Sequence, residues 1–311
     1  MDRDDILLVG FGAVGVIYAL ILSKTPNVRV TAIARGNFDK VSTKGIDIKS
    51  KKHGNIPGWK PDRVVSSVAE AADRAYKYVL IATKALPDVN PTPRILAPLL
   101  TEEYYQKYPS PTFSSWKVKP QVLSAAVYIQ ANLIGGRDIV EQGPFDKLVC
   151  GVYRPGSLVD DDPKNTPEEV EKLEAFAQLI RAGNGEIEIV PDIQRKKFAK
   201  NLWPGRNSFG CAEAVSVARA LGYSEKAVPS SLIEGTIEDT AALHRPGETS
   251  THKPSMLVDM ETRRPLEIEA IIGEVVRVGK ERNVDVRTLE TIYTLLQVVQ
   301  VGLLKAHTYN M

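Results

Sequence analysis

Short apolar runs divided by polar turns fill the first 190 residues, and longer stretches with helical spacing fill the rest. Ile6-Leu7-Leu8-Val9 reads as a strand, and an apolar helical pattern leaves Gly15 through Val16, Ile17, Ala19 and Leu20. Residues 28–34, 122–129 and 148–153 read as further strands, and 186–190 alternates as a half-buried one. The continuous run 78–82 predicts a strand covered on both faces of a parallel sheet. Residues 96–105 read as a helix, 36–75 as irregular and polar, and 106–120 as a loop. Thr166-Pro167-Glu168-Glu169 opens a helix with a hydroxyl cap, a proline in the first turn and acids facing the dipole. That helix runs through Leu173, Phe176 and Ile180 to Gly183. Beyond Asp192 the strand signals stop, and helical patterns cover 192–203, 211–222, 228–244, 255–282 and 287–305. An α/β region followed by an all-helical region predicts two domains, 1–190 and 191–311, with a cleft between them.

The junction of the first strand and helix carries a G-x-G-x-x-G motif, Gly10-Phe11-Gly12-Ala13-Val14-Gly15. Gly10 serves the tight turn, Gly12 lets backbone amides approach a pyrophosphate, and Gly15 lets helix and strand pack closely. The helix N-terminus adds free N–H groups and a partial positive charge. These features predict an N-terminal Rossmann-type dinucleotide-binding domain. At the end of the second strand, where an acid would grip the ribose of NAD, stands Arg35; the nearest acid is Asp39. A guanidinium suits a 2′-phosphate, so NADPH is favoured over NADH. Thr83 and Lys84 follow the 78–82 run, at the strand end where open α/β sheets place ligands.

Composition narrows the classes of partner. The 311 residues are 43% hydrophobic and 25% charged, with net charge +2, which gives no electrostatic case for nucleic acid or an anionic membrane. The four histidines do not cluster and the two cysteines, Cys150 and Cys211, lack metal spacing, so no metal site is expected. No apolar run approaches the length of a membrane span. The start, Met1-Asp2-Arg3-Asp4-Asp5, is neither a signal nor a transit peptide, so a cytoplasmic protein is expected.

Three segments together resemble the ketopantoate reductase (2-dehydropantoate 2-reductase) family. They are the glycine motif with Arg35, Ala82-Thr83-Lys84-Ala85, and Pro254-Ser255-Met256-Leu257-Val258-Asp259 followed by Glu267. The resemblance implies a Rossmann domain followed by a helical substrate domain, reduction of a 2-oxo acid by NADPH, and a homodimer paired through the helical domain. It also implies a catalytic lysine early in the helical region. Lys200, in Phe198-Ala199-Lys200, fits that place as general acid; Lys197, with Asn201 four residues on, is a competing alignment. By the same resemblance Glu267 accepts a hydrogen bond from a substrate hydroxyl, and Ser255 binds the substrate carboxylate. The chain departs from the family where asparagines are expected. Pro204 and Ser208 occupy two of those places, with Asn207 as a substitute for one, and Ala126-Val127-Tyr128 stands where an Asn-Gly belongs. Val127, Tyr128 and Trp203 suggest a more apolar substrate pocket.

The expected function is therefore NADPH-dependent reduction of a ketone or 2-oxo acid. The alternative is a non-redox isomerase or cyclase on the same scaffold, with Lys200 or Glu267 doing acid–base or electrostatic work. A non-catalytic NADPH-binding protein is the third reading.

Overall fold

A computed structural model describes residues 3–108, 121–136, 138–154, 164–201, 208–235, 238 and 255–308. The chain divides into two compact units. One comprises Met1–Thr83, Thr92–Tyr153 and Asn165–Ile193, and the other Lys84–Pro91, Arg154–Lys164 and Gln194–Met311.

The first unit starts with β1 (Asp4–Val9), α1 (Ala13–Ser23) and β2 (Val28–Ile33), followed by α2 (Phe38–Lys44), β3 (Ile46–Ser50), β4 (Gly54–Trp59) and β5 (Arg63–Val65). After the short α3 (Val68–Ala71) comes β6 (Tyr78–Ile81), and a parallel sheet forms in the order β5-β2-β1-β6. Every residue from Ile6 to Val9 is buried because both faces of β1 are covered. Ile6 and Leu8 pack with Val16, Ile17 and Ile21 of α1, while Leu7 and Val9 pack with Val68, Ala71 and Leu99. Val9 pairs with both Ile33 and Ile81, so three strands end level and Gly10, Ala34 and Ala82 emerge together.

A second, mixed sheet has the order β4-β3-β8-β7, built on the long antiparallel pair β7 (Leu123–Ile134) and β8 (Ile139–Val152); β9 (Ile187–Ile189) pairs with β8. Helix α6 (Pro167–Ala182) carries the full capping box between Thr166 and Glu169 and buries Leu173, Phe176, Ala177 and Ile180.

Asp146 of β8 fastens these layers. Its side chain is fully buried and accepts from Lys52 Nζ at 2.5 Å, His53 Nε2 at 2.7 Å and the Glu186 amide at 3.0 Å. Its backbone carbonyl accepts from Tyr18 Oη of α1 at 2.9 Å. One residue thereby ties the β3–β4 turn, the residue that leads into β9, and α1 to β8 of the second sheet.

The structure corrects several expectations. The polar segment 36–75 holds two short helices and three strands. In β3 the alternation is complete, with Ile46, Ile48 and Ser50 inside, but it spans five residues among lysines. Strand β4 contains Gly54, Pro57 and Gly58, which hide it from a propensity reading. Strand β6 is not covered on both faces: it ends the sheet among the described residues, and Val79 and Ile81 are 39% and 43% exposed. The expected 96–105 helix is broken: α4 (Thr92–Leu96) and a 3₁₀ turn over Ala97–Leu99 precede α5 (Glu102–Lys107). Strand β8 begins well before 148, its first half disguised by Glu141, Gln142, Gly143 and Pro144.

Among its described residues the second unit has helices and no strand: α7 (Ile193–Asn201, whose first residue belongs to the first unit), α8 (Ser208–Ala220), and helices over Ser255–Glu261, Glu274–Glu281 and Arg287–Thr308. The pattern over 255–282 is not one helix. It breaks at Arg263, whose φ is +53°, and resumes after Pro265. Val217, Val228, Val276 and Val286 form its core, with Phe198 packed against it.

Asp146 makes the first unit acid-sensitive. Burial alone would raise its carboxyl, but the bonds from His53, Lys52 and the Glu186 amide outweigh it and bring the pKa from 3.8 to about 2. A carboxyl depressed in the folded state stabilises the fold above its unfolded value and loses that effect as the pH falls through the folded one. The urea midpoint of the protein should therefore drop between about pH 4 and pH 2, and Asp146→Asn should flatten that drop while lowering the midpoint at neutral pH. Identical acid slopes for the two proteins would contradict this.

Candidate active site

The glycine motif forms the turn between β1 and α1, and each glycine is required for a different reason. Gly10 has φ +107°, and a Cβ there would lie 2.8 Å from Ala82 C and from Thr83 N. A Cβ on Gly15 would lie 2.0 Å from the Gly10 carbonyl oxygen. Gly12, the N-cap of α1, has nothing within 4 Å of where its Cβ would be. The turn is therefore closed on its inner side and open at Gly12, the geometry needed for an anionic group to approach the backbone. The first-turn N–H groups of Ala13, Val14 and Gly15 have no acceptor within the helix, and no acid stands in that turn. This end of α1 suits a dinucleotide pyrophosphate.

Two contacts brace the turn that sequence inspection missed. Phe11 is buried and stacks on Trp59, with ring centroids 6.3 Å apart. Its carbonyl accepts from the buried Asn37 Nδ2 at 3.3 Å. Asn37 thus links the β2–α2 connection to the motif, and only an Asn two residues after Arg35 hinted at it. Arg35 itself is exposed, two residues beyond the end of β2 and on the same sheet edge as Gly10. Thr83 follows Ala82, whose amide donates to the Val9 carbonyl at 2.8 Å.

In the second unit a group of charges comes together. Glu267 Oε1 accepts from the Ala85 amide at 2.6 Å. Lys84 pairs with Asp259, a carboxylate that is only 3% exposed, and Arg264 Nε lies 3.7 Å from the same carboxylate. Lys200 is half-buried on α7: burial pushes its ammonium below the usual lysine range, the charge of Glu267 raises it again, and Lys197 lowers it. Lys196 and Lys197 are exposed on the same helix. Ser255 is exposed at the start of its helix, one turn before Asp259.

Tyr128 packs in the first unit with Ala126, Val149, Val190 and Ile193, and burial raises its hydroxyl. Val127 points to the other face of β7 and packs against the main core, so it belongs to the bed of α1. Ser208 opens α8, and Trp203 and Asn207 lie outside the described residues. Asp259 and Arg264 carried no expected role. The signal for Asp259 was an acid inside the apolar helical run Met256-Leu257-Val258. Among the described residues no group of three or more acidic, histidine or cysteine side chains could hold a metal.

A parallel sheet with level strand ends, a glycine turn open at its second glycine, and a helical unit after it define a dinucleotide-binding fold of the Rossmann class. Residues 6–104 match the family model described as ketopantoate reductase PanE/ApbA, and residues 210–300 match ketopantoate reductase PanE/ApbA C terminal. The chain belongs to the PanE/ApbA ketopantoate reductase family. It is 26% identical to the uncharacterized protein YDL144C of Saccharomyces cerevisiae, over 96% of this chain and 94% of that protein. Its fold is similar to that of 2-dehydropantoate 2-reductase from Methylococcus capsulatus, with TM-score 0.70 and 21% identity over 96% of this chain and 97% of that one. It is also similar to D-mandelate dehydrogenase in its ternary structure with NADH and anilino(oxo)acetate, with TM-score 0.68 and 16% identity over 96% and 99%.

The glycines should separate in mutagenesis. Gly15→Ala should cost more than about 3 kcal/mol in urea denaturation, because neither backbone can yield to the clash. Gly12→Ala should leave the urea midpoint close to that of the unmodified protein, since its Cβ enters open space. Equal losses at both positions would refute this division.

Proposed function

We propose that this chain is an NADPH-dependent reductase of a 2-oxo acid or related ketone. The observation that carries the reading is the glycine turn open at the N-terminus of α1 in a member of this family. NADPH, when bound, supplies the hydride. Gly12 and the first-turn amides of α1 hold its pyrophosphate, with Phe11, Ala13, Val14 and Thr83 shaping the turn around it. Arg35, exposed at the sheet edge, pairs with the 2′-phosphate. Because the similar mandelate dehydrogenase is described with NADH, Arg35 is the feature that favours the phosphorylated cofactor here.

Lys200 holds at Nζ the proton that the carbonyl oxygen takes up as the ketone becomes an alcohol. Burial brings its pKa down toward working pH, and Glu267 keeps it from falling too far. Glu267 also accepts from a substrate hydroxyl, and Ser255 binds the carboxylate. Lys84 lies beside this group through Asp259 and serves the phosphate or carboxylate end of the ligands. A 2-oxo acid bulkier than ketopantoate suits the reading, because the same fold holds anilino(oxo)acetate in the mandelate dehydrogenase. The helical unit is assigned to residues 191–311 and dinucleotide binding to 1–190. A homodimer belongs to the same proposal. Leu295, Val298, Val299 and Val301 stand exposed on the last helix as the surface it would bury, and light scattering after gel filtration reads that state directly. The buried thiols Cys150 and Cys211, which form no disulfide, fit a cytoplasmic location.

The test is NADPH oxidation with ketopantoate and with aromatic and branched 2-oxo acids. Turnover is expected with at least one of them. It should fall by a factor of about a hundred or more in Lys200→Ala, with NADPH binding retained. Tight NADPH binding with no oxidation of any of these ketones would overturn the reductase reading, and rearrangement of a substrate without oxidation would replace it with an isomerase.

Cofactor choice gives a separate check. Arg35→Ala should weaken NADPH binding by about tenfold or more and leave NADH binding nearly unchanged. Equal effects on both cofactors would remove the 2′-phosphate role.

A further inference from the structure

Glu267 sits between two anchors that lie on one helix. Just before it, Leu266 is held by Gln300: the Leu266 amide donates to Gln300 Oε1 at 2.8 Å, and Gln300 Nε2 donates to the Leu266 carbonyl at 3.0 Å. Gln300 is 4% exposed, so both of its polar atoms are committed to this backbone. Just after Glu267, the chain enters a π-helical turn over Glu269–Gly273 before regular helix resumes at Glu274. Such wide turns are rare and recur at functional sites.

Tyr293 holds that turn, its Oη donating to Glu269 Oε1. Gly273 closes it, since a Cβ there would lie 2.8 Å from Glu269 Oε2 and 2.9 Å from Tyr293 Cε2. Tyr293 packs against the cluster of Leu266, Ile268 and Leu303, which contains both neighbours of Glu267, as well as against the core of the unit. Burial, then Glu269, pushes the Tyr293 hydroxyl up to about 12, so it stays a donor across the working range. Tyr293 and Gln300 are seven residues apart on the helix Arg287–Thr308 and therefore share one face.

We propose that Tyr293 and Gln300 are positioning residues that fix the aim of the Glu267 carboxylate at the Ala85 amide and Lys200. Both act through the backbone on either side of Glu267. The inference rests on the reading in which Glu267 works with Lys200.

The test needs no substrate. In full-length protein carrying 13C-lysine, the Lys200 signal, assigned by its loss in Lys200→Arg, is followed as a function of pH. The charges that act on it are Glu267, which raises its midpoint, and Lys197, which lowers it. Glu267→Gln should therefore move the midpoint to lower pH. Tyr293→Phe and Gln300→Met should each move it in the same direction by about half a unit, and by less than Glu267→Gln. Thermal unfolding of each variant identifies any that fails to fold, and Tyr293→Phe, which removes one oxygen, is the mildest. A shift with Glu267→Gln but none with Tyr293→Phe and Gln300→Met overturns the positioning role and leaves the Glu267–Lys200 pair intact. No shift with Glu267→Gln overturns that pair and the positioning role with it.

Discussion

The close approach of Gly15 to the Gly10 carbonyl is the constraint on which the first unit rests. It seats α1 directly on the end of β1, so that Ile17, Ile21 and Leu22 are fully buried against the sheet. Each such side chain contributes about 1.5–3 kcal/mol by leaving water. The same seating aligns the helix N-terminus with the level ends of β1, β2 and β6. A larger residue at position 15 would lift the helix, and with it both the core and the anion-facing amides. Stability and ligand geometry are here one steric fact.

The helical unit is organised differently. It draws polar groups together from distant segments: Lys84 and the Ala85 amide from the short stretch after β6, Lys200 from α7, Asp259 and Glu267 from either side of a helix break. None of these would hold its place by local propensity. Asp259 is tolerated in a buried setting because Lys84 and Arg264 stand beside it. The residues on either side of Glu267 are pinned by a neighbouring helix, Leu266 by Gln300 and Glu269 by Tyr293.

What could be read from the sequence follows from the range of the interactions involved. The glycine turn, the Thr166 cap and the succession from α/β to helix are set by local sterics and periodicity, and they stand in the structure as expected. The strands within 36–75 were hidden because they are short and draw stability from partners distant in sequence, and β4 carries glycine and proline as well. Strand β6 looked buried because an apolar run does not reveal which strand forms the edge. Spacing left Lys200 and Lys197 as alternatives on one basic helix; that Lys200 is half-buried and Lys197 exposed needed tertiary neighbours. Asp259 was legible as the acid of the segment that carries the family resemblance, but its partners Lys84 and Arg264 were not. The anchors Gln300 and Tyr293 left no signal, because ordinary polar residues on a long helix look alike until their partners are known.

The bond from the Ala85 amide to Glu267 has an evolutionary side. The donor is main chain, so almost any side chain may drift in at position 85 without removing it, and proline alone would delete it. The link between the segment after β6 and the carboxylate can thus persist among relatives that share no side chain at that position. Divergence at residue 85 carries no information about whether the contact survives.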